Sequence, residues 1–201
     1  MAKIAISVNE VLRDFIGQMV YTYDKYIEPF DIEKTPVDSF DLINHFKFKN
    51  IDELNHFLFI EASLEIFGHA DQLHNNLIKH FNTFLEDIKD EEEHEIELVS
   101  REVQKSIPST FFFLSKLSCQ IDKIRFVKNN EDEWGDADIL ITANPVALEN
   151  KPENKLSVKI SAPYNKNASG DFTLDNIIDF FKDESLREKI INTKITTYEN
   201  H

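Results

Sequence analysis

Lys3-Ile4-Ala5-Ile6-Ser7-Val8-Asn9-Glu10-Val11-Leu12-Arg13-Asp14 is the stretch whose reading decides the fold. Ile4 to Val8 is an apolar run interrupted only by Ser7, the pattern of a strand buried in a parallel sheet. Asn9 and Glu10 then break the run. Leu12, Phe15, Ile16, Met19, Val20, Tyr23 and Ile27 follow at three- and four-residue spacing, the apolar stripe of an amphipathic helix. A strand that runs through a polar turn into a helix leaves Ser7 and Asn9 at the strand's carboxyl end. Open parallel α/β sheets bind their ligands beyond that end.

Outward from this unit, Pro29 and Pro36 punctuate the chain. Residues 38–90 then read as helical, with no alternating strand pattern. Asp38 or Ser39 is placed to cap a first short helix. A second helix runs from Asp52 past Leu64 and ends at Gly68, and a third begins near Asp71 with Leu73, Leu77, Ile78, Phe81, Phe84, Leu85 and Ile88 on its apolar face. The acidic run Asp90-Glu91-Glu92-Glu93 reads as a solvated connector. Beyond it, strands are expected at Glu95–Ser100, Ile121–Val127, Ala137–Thr142 and Leu156–Ile160, with helices at Thr110–Leu117, Leu174–Phe181 and Ser185–Ile191. Strands alternating with helices give a three-layer α/β fold with a Rossmann-like parallel sheet. The expected division is a core of residues 1–30 and 91–201, with residues 31–90 as an inserted helical cap.

Four stretches, in order, resemble the motifs of the haloacid dehalogenase superfamily, and of its 5'(3')-deoxyribonucleotidase-like branch in particular. Ser7-Val8-Asn9-Glu10-Val11-Leu12-Arg13-Asp14 stands where that family has Asp-x-Asp-Gly-x-Leu. Ile96-Glu97-Leu98-Val99-Ser100 ends in the serine expected to bind phosphate. Ala137-Asp138-Ile139-Leu140-Ile141-Thr142-Ala143-Asn144-Pro145 resembles the fourth motif, and Ala162-Pro163-Tyr164-Asn165 a late Pro-Tyr-Asn turn. The resemblance implies a phosphatase framework in which one Asp attacks phosphorus, a second exchanges the proton, and acids of the first and fourth motifs hold Mg²⁺.

The substitutions contradict that chemistry. Ser7 replaces the nucleophile, Asn9 the acid/base and Glu10 the glycine, while Thr142 and Ala143 replace the acidic pair. Ser100, Asp138 and Thr142 remain as vestigial ligand-binding candidates. Lys105 and Lys116 both have a claim to the third-motif lysine. Losing nucleophile, acid/base and metal ligands together leaves no basis for turnover. The expectation is a pseudoenzyme with no metal site and no cofactor, Mg²⁺ being required only under the alternative of a nucleotidase-like phosphatase or nucleotide sensor.

The remaining features narrow the class. With 37 acidic against 22 basic residues the chain carries −15 charges, a field that opposes nucleic acid and anionic membrane. Cys119 is the single cysteine, so no disulfide forms within the chain, and a reducing compartment is expected. No signal peptide or membrane-length apolar run is present. His69, His74 and His80 lack the i, i+4 spacing of helical metal ligands. Phe111-Phe112-Phe113-Leu114 reads as helix core, and Trp134-Gly135-Asp136 as a packed turn. The functional expectation is a structural or interaction subunit bound to other protein subunits. The richness in Lys, Asn, Ile and Phe suits an AT-rich bacteriophage genome, and a virion component of the portal or tail region is the specific form expected.

Overall fold

The computed structural model describes residues 2–91 and 94–199. Six parallel strands form one sheet: β1 (Ala2–Ser7), β2 (His94–Arg101), β3 (Ile124–Val127), β4 (Ile139–Thr142), β5 (Leu156–Ile160) and β6 (Phe172–Leu174). Their spatial order is β3-β2-β1-β4-β5-β6, so the order reverses at β1. The register places Ser7 beside Val99 of β2, and Ile4, Ala5 and Ile6 beside Ile139, Leu140 and Ile141 of β4. Five of these strands lie where the apolar runs put them. The three-residue β6 was not expected; it overlaps the start of the expected helix Leu174–Phe181 at Leu174, and the helix observed there is α6 (Ile177–Lys182).

One face of the sheet presents Ile4, Ile6, Leu98, Ile139, Ile141, Leu156 and Val158 to three helices: α3 (Leu77–Glu91), α6 and α7 (Glu184–Glu199). Phe84 anchors that layer, its ring 5.0 Å from Phe181 and 5.5 Å from Phe180. Each such pair adds about 0.5–1.5 kcal/mol beyond simple burial. The opposite face carries smaller residues, Ala5, Val99 and Leu140, against α5 (Pro145–Glu149) and the 3₁₀ turn Asn130–Glu133 with Trp134. The Trp134 indole donates to the Ala147 carbonyl at 2.8 Å, as a buried indole N–H requires. The sheet is thus covered on both sides, as an all-parallel sheet must be.

The second apolar cluster joins α1 (Phe15–Tyr26) to α2 (Ile51–His56) through Met19, Tyr23, Phe46, Leu54, Phe57 and Phe67. Two π-helical turns, Phe57–Glu61 and Leu64–Gly68, follow α2, closed by bonds from the Ala62 amide to the Phe57 carbonyl and from the His69 amide to the Leu64 carbonyl. α1 packs with the cap cluster, whereas α3 packs on the sheet as its first crossover helix. The acidic connector expected at 90–93 lies partly in α3, and residues 92 and 93 fall outside the described residues. In place of the first short helix, a 3₁₀ turn at Leu42–Asn44 follows Asp41. Among the described residues no helix is long and apolar enough to cross a membrane.

Candidate functional site

At the carboxyl ends of β1, β2 and β4 the chain builds a cavity of about 290 Å³ between sheet and cap. Asn9, Glu133, Asn144 and Tyr164 line its floor, and Phe15, Leu58, Phe59 and Phe67 its cap side. This is the crevice where strand order reverses. Ser7 is not among the lining residues. It is 3 % exposed and sits behind Glu133, itself 5 % exposed.

Ser7 Oγ lies 2.7 Å from Glu133 Oε2 and 2.8 Å from Thr142 Oγ1. The Thr142 hydroxyl is 2.9 Å from the same Oε2 and accepts from the Asn144 amide at 3.0 Å, while Asn144 Nδ2 donates to Glu133 Oε1 at 2.9 Å. Burial pushes the Glu133 carboxyl above its ordinary range, against the lowering effect of the bonds from Ser7, Asn144 and Thr142. Asn144 also caps α5, accepting from the Val146 and Ala147 amides ahead of the helix that Pro145 starts. The Glu131-Asp132-Glu133 segment is therefore fixed to β4 by the same residue that begins the next helix.

Asn9 is occupied as well. Its Oδ1 accepts from both Nε and Nη2 of Arg13, at 2.9 and 2.5 Å. Arg13 is fully buried and pairs with buried Glu102 at 2.5 Å, and its Nη1 donates to the Phe67 carbonyl and to Thr110 Oγ1. Burial lowers the guanidinium's pKa, and the Glu102 carboxylate counters that pull. The Ser100 hydroxyl donates to Glu102 Oε1 at 2.7 Å, so the serine expected to contact phosphate completes this ion-pair network instead. The two networks, centred on Glu133 and Glu102, use the hydroxyls of Ser7, Ser100 and Thr142 and the Asn9 Oδ1 internally.

Asp138 lies elsewhere. It precedes β4 at the opposite end of the sheet, accepts from the Lys3 amide at 3.0 Å and faces Lys155 at 3.5 Å. Its inclusion with the strand-end candidates fails because β4 begins after it, at Ile139. Neither lysine proposed for the third motif lines the cavity: Lys116 donates to the Ala70 carbonyl at 2.7 Å, and Lys105 is exposed at the start of α4 (Ser106–Lys116). Asn165 of the Pro-Tyr-Asn turn ties strand ends together, its amide donating to the Ala143 and Ile160 carbonyls, each at 2.8 Å. Tyr164 beside it reaches the cavity and packs at a tilt of 43° against Phe40, centroids 5.5 Å apart.

The residues present do not fit Mg²⁺. Hard divalent cations need several anionic oxygens. Here the strand-end hydroxyls of Ser7, Ser100 and Thr142 and the carboxamides of Asn9 and Asn144 are neutral, Glu133 already holds three donors, Glu102 is paired with Arg13, and Glu10 accepts from the Ile16 amide. Among the described residues no group of three His, Cys, Asp or Glu is placed to share a metal ion. Glu133, Arg13 and Glu102 were missed by sequence reading, since nothing local marks them. Glu133 stands 126 residues from Ser7, and Glu102 is 89 residues from Arg13.

No protein-family profile matches the sequence, and no curated protein is significantly similar to it. Among solved structures, the chain is similar to a protein of Burkholderia xenovorans LB400 provisionally assigned as a haloacid dehalogenase-like hydrolase. The two superpose with a TM-score of 0.58 at 9% identity, over 92% of this chain and 96% of that one. The likeness is one of fold.

Proposed function

We propose that this chain keeps the haloacid dehalogenase fold without its phosphoryl-transfer chemistry, and serves as a binding and interaction subunit. The observation that carries this reading is the burial of Ser7 behind Glu133, both held by Thr142 and Asn144. A nucleophile must reach the substrate, and this hydroxyl is outside the cavity wall. Asn9, at the acid/base position, has no titratable proton near neutral pH and is locked to Arg13. Among the described residues Arg101 is the single cation lining the cavity, against the carboxylates of Glu10, Asp41 and Glu133, which disfavours a phosphomonoester or nucleotide.

An interaction role is supported by the outer face of α4. Phe111 and Phe112 are about half exposed, and Leu64 of the second π turn is comparably so. A Cβ on Gly68 would meet Leu64 Cδ1 at 2.8 Å and Phe112 Cδ1 at 3.2 Å, so those two side chains converge over Gly68. Apolar groups gathered in this way mark contact surfaces. A virion, the setting consistent with the residue usage, is one such assembly.

The test is calorimetric titration of the protein with Mg²⁺, alone and with deoxynucleoside monophosphate. No saturable heat up to about millimolar concentrations is expected, the range in which binding would be worth only about 4 kcal/mol. Saturable Mg²⁺ binding lost in Ser7→Ala and Glu133→Gln would overturn the reading.

A further inference from the structure

The cavity keeps its volume although its phosphoryl chemistry is gone, and its walls have a consistent chemical character. Phe15, Ile16, Leu54, Leu58, Phe59 and Phe67 give it an apolar cap side. The polar end is acidic. Glu10 and Glu133 both line it, and the Tyr164 hydroxyl, raised first by burial, is raised further by the charges of these two carboxylates. The two acids thus share one cavity wall region with Tyr164 as lining residues.

Glu10 is held there at a cost. Its φ of +56° lies in the left-handed region, where a side chain costs about 1–2 kcal/mol relative to glycine. The Ile16 amide at the start of α1 donates to Glu10 Oε1 at 2.7 Å and orients the carboxylate. Among the described residues Glu133 Oε1 accepts from one side chain, Asn144, and so retains acceptor capacity. Arg101, the one lining cation among the described residues, is engaged at the rim: its Nε donates to the Lys128 carbonyl at 3.1 Å, and its guanidinium lies 5.6 Å from the Phe59 ring centre. Strain retained at a cavity wall, an apolar body and a convergent polar end are the marks of a small-molecule site.

We propose that this cavity binds a small primary amine with an aromatic or branched apolar body, the ammonium directed to Glu10 and Glu133 and the body against Phe15, Leu58 and Phe67. An ammonium offers three donors to carboxylate oxygens, and aromatic walls favour a cation further. Entry of a cation also relieves the burial of two carboxylates, whereas an anion would add to it. The proposal rests on the reading of a silenced site, because an amine site and a phosphate site need opposite charges.

The test is calorimetric titration at about pH 8 with phenethylamine, its neutral isostere 2-phenylethanol, and phenyl phosphate with and without Mg²⁺. Phenethylamine is expected to bind at least about tenfold more tightly than 2-phenylethanol, a difference of about 1.4 kcal/mol, and phenyl phosphate not at all. Glu10→Gln is expected to abolish the preference for the amine while leaving the melting transition cooperative. Asn55→Trp, which fills the wall from α2, is expected to abolish binding of both probes. Equal affinity for amine and alcohol, or no amine binding at about 10 mM, overturns the amine site and leaves the silenced-site reading intact. Hydrolysis of phenyl phosphate that depends on Ser7 overturns the silenced-site reading whatever the amine does.

Discussion

Ser7 Oγ and Glu133 Oε2 lie 2.7 Å apart, joining the end of β1 to a 3₁₀ turn 126 residues later. The contact closes the strand end at which this fold is expected to act, and it is buried on both sides. Glu133 therefore has a structural value that substitution can measure. Glu133→Ala leaves Ser7, Thr142 and Asn144 without a shared acceptor, and each unsatisfied buried group costs about 1–3 kcal/mol. A loss of about 3 kcal/mol is expected in urea unfolding. Glu133→Gln keeps the shape and one acceptor while removing a costly carboxylate, and is expected to stay within about 1 kcal/mol of wild type.

Glu10 gives the chain a pH dependence opposite to that of most carboxylates. Burial pushes its carboxyl up to about 7, so the folded state holds the proton more tightly than the unfolded state, where a Glu titrates near 4.5. Its favourable contribution is complete below pH 4.5 and is lost as pH rises through about 7. The stake is on the order of 3 kcal/mol at about 1.4 kcal/mol per pH unit. Glu133, raised in the same direction, adds with the same sign. Denaturation midpoints for wild type are expected to fall between pH 5 and 8, and Glu10→Gln to flatten that slope. An unchanged slope would remove Glu10 from the account.

Arg13 and Glu102 form a buried pair whose halves depend on each other. Arg13→Met strands the Glu102 carboxylate and is expected to cost about 3–5 kcal/mol, and Glu102→Gln similarly strands the guanidinium. The double variant is expected to recover part of that loss. The coupling in a double-mutant cycle of urea midpoints measures the pair directly.

The Phe111-Phe112-Phe113-Leu114 run divides between surface and core. Phe113 is fully buried, and its truncation to Ala is expected to cost about 3–5 kcal/mol. Phe112, 43% exposed, is expected to cost less than about 1 kcal/mol in the same assay. Equal losses would place Phe112 in the core as well and remove the proposed contact surface.

Much of the sheet was legible because strands buried in a parallel sheet are largely apolar on both faces, a signature that Ile4–Val8 carries, whereas Leu156–Ile160 shows the period-two alternation of a strand, with Ser157 and Lys159 on the other face. β6 was not, since Phe172–Leu174 is a short edge strand with one neighbour, and its pattern is easily absorbed by the helix after it. α3 packs on the sheet, a placement its sequence does not reveal. Its apolar stripe has the same period as that of a cap helix, and periodicity says which face is buried without saying against what. The altered residues of the site were visible as Ser7, Asn9 and Thr142. Their engagement was not, because Glu133 and the Arg13–Glu102 pair act across long sequence separations from segments with no periodic signal.

The central claim is that the strand-end site is chemically silent, and phosphate release tests it most directly. Deoxynucleoside monophosphates and p-nitrophenyl phosphate would be incubated with Mg²⁺ and the purified chain from about pH 5 to pH 9, wild type beside Ser7→Ala and Asn9→Ala, spanning the range in which a Glu- or His-assisted reaction would show its titration. The account predicts release no faster than in protein-free controls for all three proteins; release by wild type that disappears in Ser7→Ala would contradict it.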